Sequence, residues 1–331
     1  MTFYLNQRNT SELESHTSIS IEENGLLLNS SLNFSHIEHL EIHYAGIEFF
    51  PSASFPKLTF LNISQNNLVS IHSLPKLETL YISDNLIQSF GYFPRLTKLI
   101  AGNCGLDVLG PVECFPKLEF LDLNRNLFTL PPKFPNLRYL NLQRNLIDNI
   151  HGTDFPELEE LNLDFNPLMY LPSFRNLLFC TACYCQIHVV DSSPKLLMLD
   201  LIENDLYSIP VFPKLKTLNL NDNNYLDQLP LCPDLEELSI ERTNVVFLPQ
   251  LNSLRRLYAN GTRIVNVDYF VELEELEMGD DVIIVSNIYH DSENVHASSI
   301  QSSLRESLNY LIANFSANLD IIPQTLVILK N

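Results

Sequence analysis

Between about residue 37 and residue 285 the chain repeats one phrase, clearest as FPKLTFLNISQNNLVSI from Phe55, FPKLEFLDLNRNLFTL from Phe115, FPNLRYLNLQRNLIDNI from Phe134 and FPKLKTLNLNDNNYLDQL from Phe212. The first leucine of each unit falls at Leu58, Leu77, Leu96, Leu118, Leu137, Leu158, Leu177, Leu196, Leu215, Leu235, Leu254 and Leu273, in steps of 19 to 22 residues. A period near 20 is the mark of a solenoid, in which each unit buries its apolar side chains against its two neighbours and stability accumulates with repeat number.

Within a unit, L-x-L directs two apolar side chains to one face of a short strand and the residue between them to the other. The asparagine three positions later, as at Asn66, Asn85, Asn126, Asn145, Asn166, Asn204 and Asn223, suits a buried turn whose backbone groups its amide can satisfy. Residues matching L-x-x-L-x-L-x-x-N-x-L, such as Leu118, Leu121, Leu123, Asn126 and Phe128, resemble the leucine-rich repeat family over roughly three quarters of the chain. The resemblance implies an α/β-type, strand-rich solenoid. Its form is a right-handed leucine-rich repeat horseshoe with a parallel concave β-sheet and a mostly extended, helix-poor convex side. The short, proline-marked units look most like those of bacterial effectors, although FP-K-L replaces their LP-x-L. Phe-Pro or Leu-Pro before most first leucines favours an extended or polyproline segment on the outer side.

Three segments follow. Residues 1–36, with SISIEENGLLL broken by Asn24 and Gly25, read as an N-terminal cap, either a hairpin or a degenerate strand. Residues 37–285 hold about 13 units. In residues 286–331 the apolar positions Ile300, Leu304, Leu308, Leu311, Ile312 and Phe315 recur at helical spacing, which predicts a C-terminal cap with one helix, or else a dimer contact. Ala45, Cys104, Cys185, Thr243, Thr262 and Asp281 replace the asparagine, and Asp281 sets the last unit apart.

Forty acidic against 20 basic residues give a net charge of −20 without an acidic tail or a basic stripe, which disfavours nucleic acid and anionic membrane as partners. The N-terminal stretch shows no secretory pattern and no run reaches the ~20 apolar residues of a membrane span, so the expectation is a soluble, cytoplasmic chain; delivery into a host cell stays open. All six cysteines lie inside the repeats, where reduced thiols are expected. Cys180, Cys183 and Cys185 spell C-x-x-C-x-C, yet the repeat register turns Cys180 and Cys185 inward and leaves Cys183 as a surface thiol on the concave side. His39, Glu41 and His43 alternate onto one strand face, where solvent-facing polar residues explain them better than a metal site. No cofactor motif, nucleophile elbow or phosphate loop is present, no ligase domain follows the array, and residues 1–36 lack an F-box pattern. The chain reads as a non-enzyme.

The third, fifth, seventh and eighth motif positions face outward on the concave side. They carry large apolar groups between Ile100 and Ile202: Phe120, Tyr139, Phe179 and Met198 at the third, Ile100 at the fifth, Phe165, Tyr184 and Ile202 at the seventh and eighth, with Arg125 and Arg144 as polar anchors. Rimmed by Asp122, Asp164 and Asp200, they are expected to form one contiguous strip that binds a protein or peptide. Self-packing of a sheet face is the competing reading, and packing into a larger assembly through the convex face or the caps is the competing role.

Overall fold

The computed structural model describes residues 17–21, 34–264, 267, 270, 272–278 and 281–284. One fifteen-stranded sheet runs the length of the array. Its repeat strands begin at His39–Ile42 and end at Glu275–Met278, each parallel to the next and in register at the same motif position, as in Phe120↔Tyr139 and Leu121↔Leu140. The side facing away from the core is the concave one of a leucine-rich repeat horseshoe, and almost no helix covers the opposite side. Short 3-10 turns stand at Ser52–Ser54, Val112–Cys114 and Gly152–Asp154, and two two-stranded ladders pair Ser70–Ile71 with Ser89–Phe90 and Tyr170–Leu171 with Val189–Val190. Among the described residues no helix is long and apolar enough to cross a membrane.

At the N-terminal end Ser18–Ile21 lies parallel on His39–Ile42. These four residues thus extend the parallel sheet by one strand, and the rest of the apolar segment lies within residues 22–33, outside the described residues. At the other end Asp281–Ile284 runs antiparallel to Glu275–Met278. Asp281 begins this return strand and leaves the asparagine slot of a further unit unformed. The helix expected in residues 286–331 lies outside the described residues.

The motif leucines form one continuous core, with Leu121, Leu123, Leu140, Leu142 and Leu163 among its fully buried members. The Phe of Phe-Pro belongs to that core as well. Phe55, Phe93, Phe115, Phe134, Phe155 and Phe212 are all buried, as is Phe174 in the same slot before Arg175, and Phe93 stacks on Phe115 at 5.8 Å between centroids. The polyproline expectation gives way to a tight turn. Phe115 O accepts from Leu118 N at 3.2 Å and Phe134 O from Leu137 N at 3.2 Å, with proline at the second turn position, where its fixed φ is already correct. A bulky ring directed inward by this turn fills the outer half of the core, which is why no helix is needed there.

Inside the opposite bend the asparagines form a ladder. Asn145 Nδ2 donates to Leu123 O and Leu142 O at 2.9 Å each, and its Oδ1 accepts from Phe128 N at 3.0 Å, so one side chain ties its own bend to the preceding unit. Cysteine keeps the donating half: Cys104 Sγ donates to Ile82 O at 3.3 Å and Cys185 Sγ to Leu163 O at 3.4 Å. Thr243 Oγ1 reaches only its own unit, at Ile240 O.

Candidate functional site

Six of the repeat strands, those with Asn or Asp at the fifth position, end in the same local device. The fifth-position side chain folds back onto the backbone N–H two residues on: Asp122 Oδ1 accepts from Asn124 N at 2.9 Å, Asn141 Oδ1 from Gln143 N at 3.0 Å and Asn162 Oδ1 from Asp164 N at 2.9 Å. This side-chain turn replaces the ladder bond that a longer strand would make. The eighth position then takes a left-handed backbone. Eleven non-glycine residues there, from Tyr44 to Arg242, have φ between 51° and 62°, a conformation costing about 1 kcal/mol or more for an L-residue. The buried asparagine that follows, with its fixed hydrogen bonds, holds the bend in place. None of the eleven is β-branched, and Gly261, Asn103, Asp84 and Asp222 in the same slot are residue types that favour this conformation, which is the trace of this geometry in the sequence.

The predicted site residues consequently fall on two separate columns. On the strands, Phe120 stacks flat on Tyr139, with centroids 3.9 Å apart and planes within 2°, and Lys98 Nζ sits 4.5 Å over the Phe120 ring. Phe179 lies beside Met198 two strands further on. Between these pairs stands Glu160, paired with Tyr139 on one side and Phe179 on the other, so the strip is interrupted at its centre. Along the strand-end bends, Arg144 lies over Phe165 at 4.2 Å and Phe165 stacks on Tyr184 at 4.6 Å. No ring contact joins the two columns among the described residues. Third and eighth positions are five residues apart along the chain, roughly 15 Å if extended. Ile100 and Ile202 lie between the columns, each half-buried.

The aspartates expected at the rim serve the frame. Asp122 Oδ2 takes Asn141 Nδ2 at 3.1 Å, Asp164 Oδ1 takes Cys183 N at 2.8 Å, and Asp200 Oδ1 takes the Cys183 thiol at 3.1 Å. Desolvation raises the carboxyl of Asp200 above the usual range. On the first repeat strand Glu41 joins both histidines, with His39 Nε2 at 2.8 Å and His43 Nε2 at 3.7 Å, while the His39 ring stacks on Phe60 at 4.0 Å.

Cys183 is 7% exposed, which corrects the expectation of a surface thiol. Desolvation first, and the Asp200 charge second, push its thiol up, so it is a poor nucleophile. Burial likewise pushes Cys104 and Cys185 up to about 11 and raises Cys180 and Cys232. These thiols are neutral in both states below the ordinary value of 9.0. Above it the unfolded thiols ionise while the folded ones keep their protons, so this contribution to stability is lost as pH climbs from 9.0 through 11. Denaturant midpoints measured at successive pH values should fall across that window, and a thiol-specific chromogenic reagent at pH 8 should leave Cys183 unmodified until the chain is unfolded.

No protein-family model matches the sequence, and no curated protein sequence matches it. Solved structures do. A leucine-rich repeat protein of Leptospira interrogans superimposes with a TM-score of 0.54 at 20% identity, over 83% of this chain and 92% of that one. An internalin of Listeria monocytogenes gives 0.54 at 18%, over 84% and 85%. YopM, a leucine-rich effector protein of Yersinia pestis, gives 0.51 at 19%, over 80% and 83%. The fold of this chain is the leucine-rich repeat fold, similar to that of these bacterial proteins.

Proposed function

We propose that the chain is a non-catalytic recognition scaffold that takes a protein or peptide on its concave side, over the strands from Lys98–Ile100 to Met198–Asp200. The observation carrying this reading is the placement of large apolar groups where packing makes no demand for them. Leu121 and Leu140 point into the core and are fully buried, whereas Phe120 and Tyr139 stand on the opposite face and Phe179 is 40% exposed. Rings in register on a solvent-facing sheet offer area at little entropic cost, because the solenoid holds them in place before a partner arrives. Arg144 over Phe165 supplies the cationic element common at such surfaces. The flat Phe120–Tyr139 stack also stabilises the sheet by itself, and Lys98 lies over the Phe120 ring, so the half-exposed ring edges are what a ligand would use.

The test is cross-linking affinity purification with mass spectrometry, followed by affinity measurement on the purified pair. Wild-type chain is compared with Phe120→Glu/Tyr139→Glu/Phe179→Glu, shown by circular dichroism to stay folded. A partner whose affinity falls by about a hundredfold in the variant supports the reading. Partners retained equally by both proteins would shift recognition to the convex face or the ends, as for a subunit of a larger assembly.

A further inference from the structure

We infer that the strand-end bends of Arg125, Arg144, Phe165 and Tyr184 form a docking edge for an acidic peptide segment, in which a carboxylate lies two residues from a large apolar side chain. This inference rests on reading the chain as a recognition scaffold and names the chemistry of its partner.

An internal comparison within one column carries the argument. Arg242 occupies the same eighth-position slot as Arg125 and Arg144, and its neighbour one unit back is Asp222. The two form a two-pronged pair, Nε to Oδ1 at 2.5 Å and Nη2 to Oδ2 at 2.6 Å. Asn103 and Asp84, one unit apart in the same column, also bond, at 2.6 Å. The slot geometry therefore lets a donor and a carboxylate of adjacent units pair, as it does at these two places. At Arg125 and Arg144 the carboxylate is missing. Their column neighbours are Asn103, each other and Phe165, and no carboxylate of the described residues forms an ion pair with either arginine.

In a chain with twice as many acidic as basic residues, that local balance is unusual. From Asn103 to Gln186 the eighth and tenth motif positions hold two arginines and no acidic residue at all. The one acidic group of the adjoining seventh position, Asp164, is turned onto Cys183 N. The tenth position of the two arginine units adds apolar area, with Leu127 52% and Leu146 50% exposed, and Tyr184, two units beyond Leu146, is 44% exposed.

Stacking prepares the arginine for such a ligand. Arg144 is exposed, its Cζ is 4.2 Å from the Phe165 centroid and no protein acceptor among the described residues takes its guanidinium N–H donors, which leaves them for a carboxylate that a guanidinium can meet two-pronged. Adjacent units are ~4.8 Å apart, so a carboxylate held between Arg125 and Arg144 lies ~7 Å, one and a half units, from Phe165. Alternate residues of an extended peptide are ~6.8 Å apart, which sets the apolar side chain two positions from the acid.

The probe is a phage-displayed library of random dodecapeptides, selected on the whole chain, with recovered sequences then synthesised and their affinities measured. Arg125→Gln/Arg144→Gln and Arg125→Glu/Arg144→Glu are the variants. Gln65 and Glu203 already occupy this left-handed slot, so both replacements fit the backbone. The expected result is enrichment of an acidic residue two positions from an apolar one. Affinity should fall about tenfold with glutamine, further with glutamate, and decline as salt rises. Recovered peptides with no acidic enrichment, or with affinities untouched by either variant, overturn the inference. If such peptides lose affinity with Phe120→Glu/Tyr139→Glu, concave recognition stands and only the acidic edge falls; if no variant affects them, both readings fall.

Discussion

Replacing Asn145 with alanine is expected to lower stability by about 3 kcal/mol, a loss out of proportion to one polar side chain. The substitution strips Leu123 O and Leu142 O of their donor and Phe128 N of its acceptor, all inside a bend that water does not reach. Asn145→Cys should cost roughly half as much, because a thiol in this slot still donates to the preceding unit, as Cys104 does to Ile82 O. Guanidinium denaturation of the three proteins checks the order, wild type above cysteine above alanine. Equal losses in the two variants would assign the effect to the missing acceptor alone. An alanine variant within about 0.5 kcal/mol of wild type would remove the ladder from the account of stability.

Phe115→Ala should be at least as damaging, by about 3–5 kcal/mol. The ring is 1% exposed and lies against Phe93 at 5.8 Å, Phe134 at 6.0 Å and Phe90 at 5.6 Å, so its removal opens a cavity that its neighbours cannot fill without leaving their own turns. Phe115→Leu is expected to cost only about 1–2 kcal/mol, since Leu74 and Leu251 occupy the same slot in other units and are buried there. Because each unit touches only its neighbours, amide exchange should accelerate first around residues 93 to 134 while distant units keep their protection. Uniform acceleration along the whole array would instead show that the solenoid unfolds as one block.

How much of this was legible beforehand differs from one residue class to another. Leu118, Leu121 and Leu123 announce their burial through spacing, because a period-2 strand leaves an L-x-L phrase one way to face a core. Asn145 was likewise readable as a bend residue. The role of Phe115 was not, since the Phe-Pro pair was read for what proline does to the backbone, and only the turn it makes shows the ring directed inward. Arg125, Arg144, Phe165 and Tyr184 were identified as outward-facing, but one strip was expected where there are two columns. The left-handed turn at the eighth position lies beyond the reach of a strand-alternation rule, and only the choice of residue types marked it, with Gly261, Asn103, Asp84 and Asp222 present and β-branched residues avoided. Asp122 and Asp200 looked like a charged rim, and their capture by backbone and side-chain donors depends on contacts between units, which spacing does not disclose. Cys183 was misplaced for the same reason: alternation put it on the open face, and Asp164 and Asp200 from the flanking units cover it.

The amino-acid sequence by itself determined that this protein is a parallel, strand-rich solenoid with a leucine core and an asparagine ladder. Those features repeat with the period, and hydrophobic burial against an identical neighbour leaves a repeated phrase no other packing. Tertiary structure alone decided which of the outward residues meet. Side chains 17 to 22 positions apart become neighbours only once the units stack, and whether an arginine then finds a carboxylate, as Arg242 does, or an aromatic ring, as Arg144 does, is a matter of which unit lies beside it.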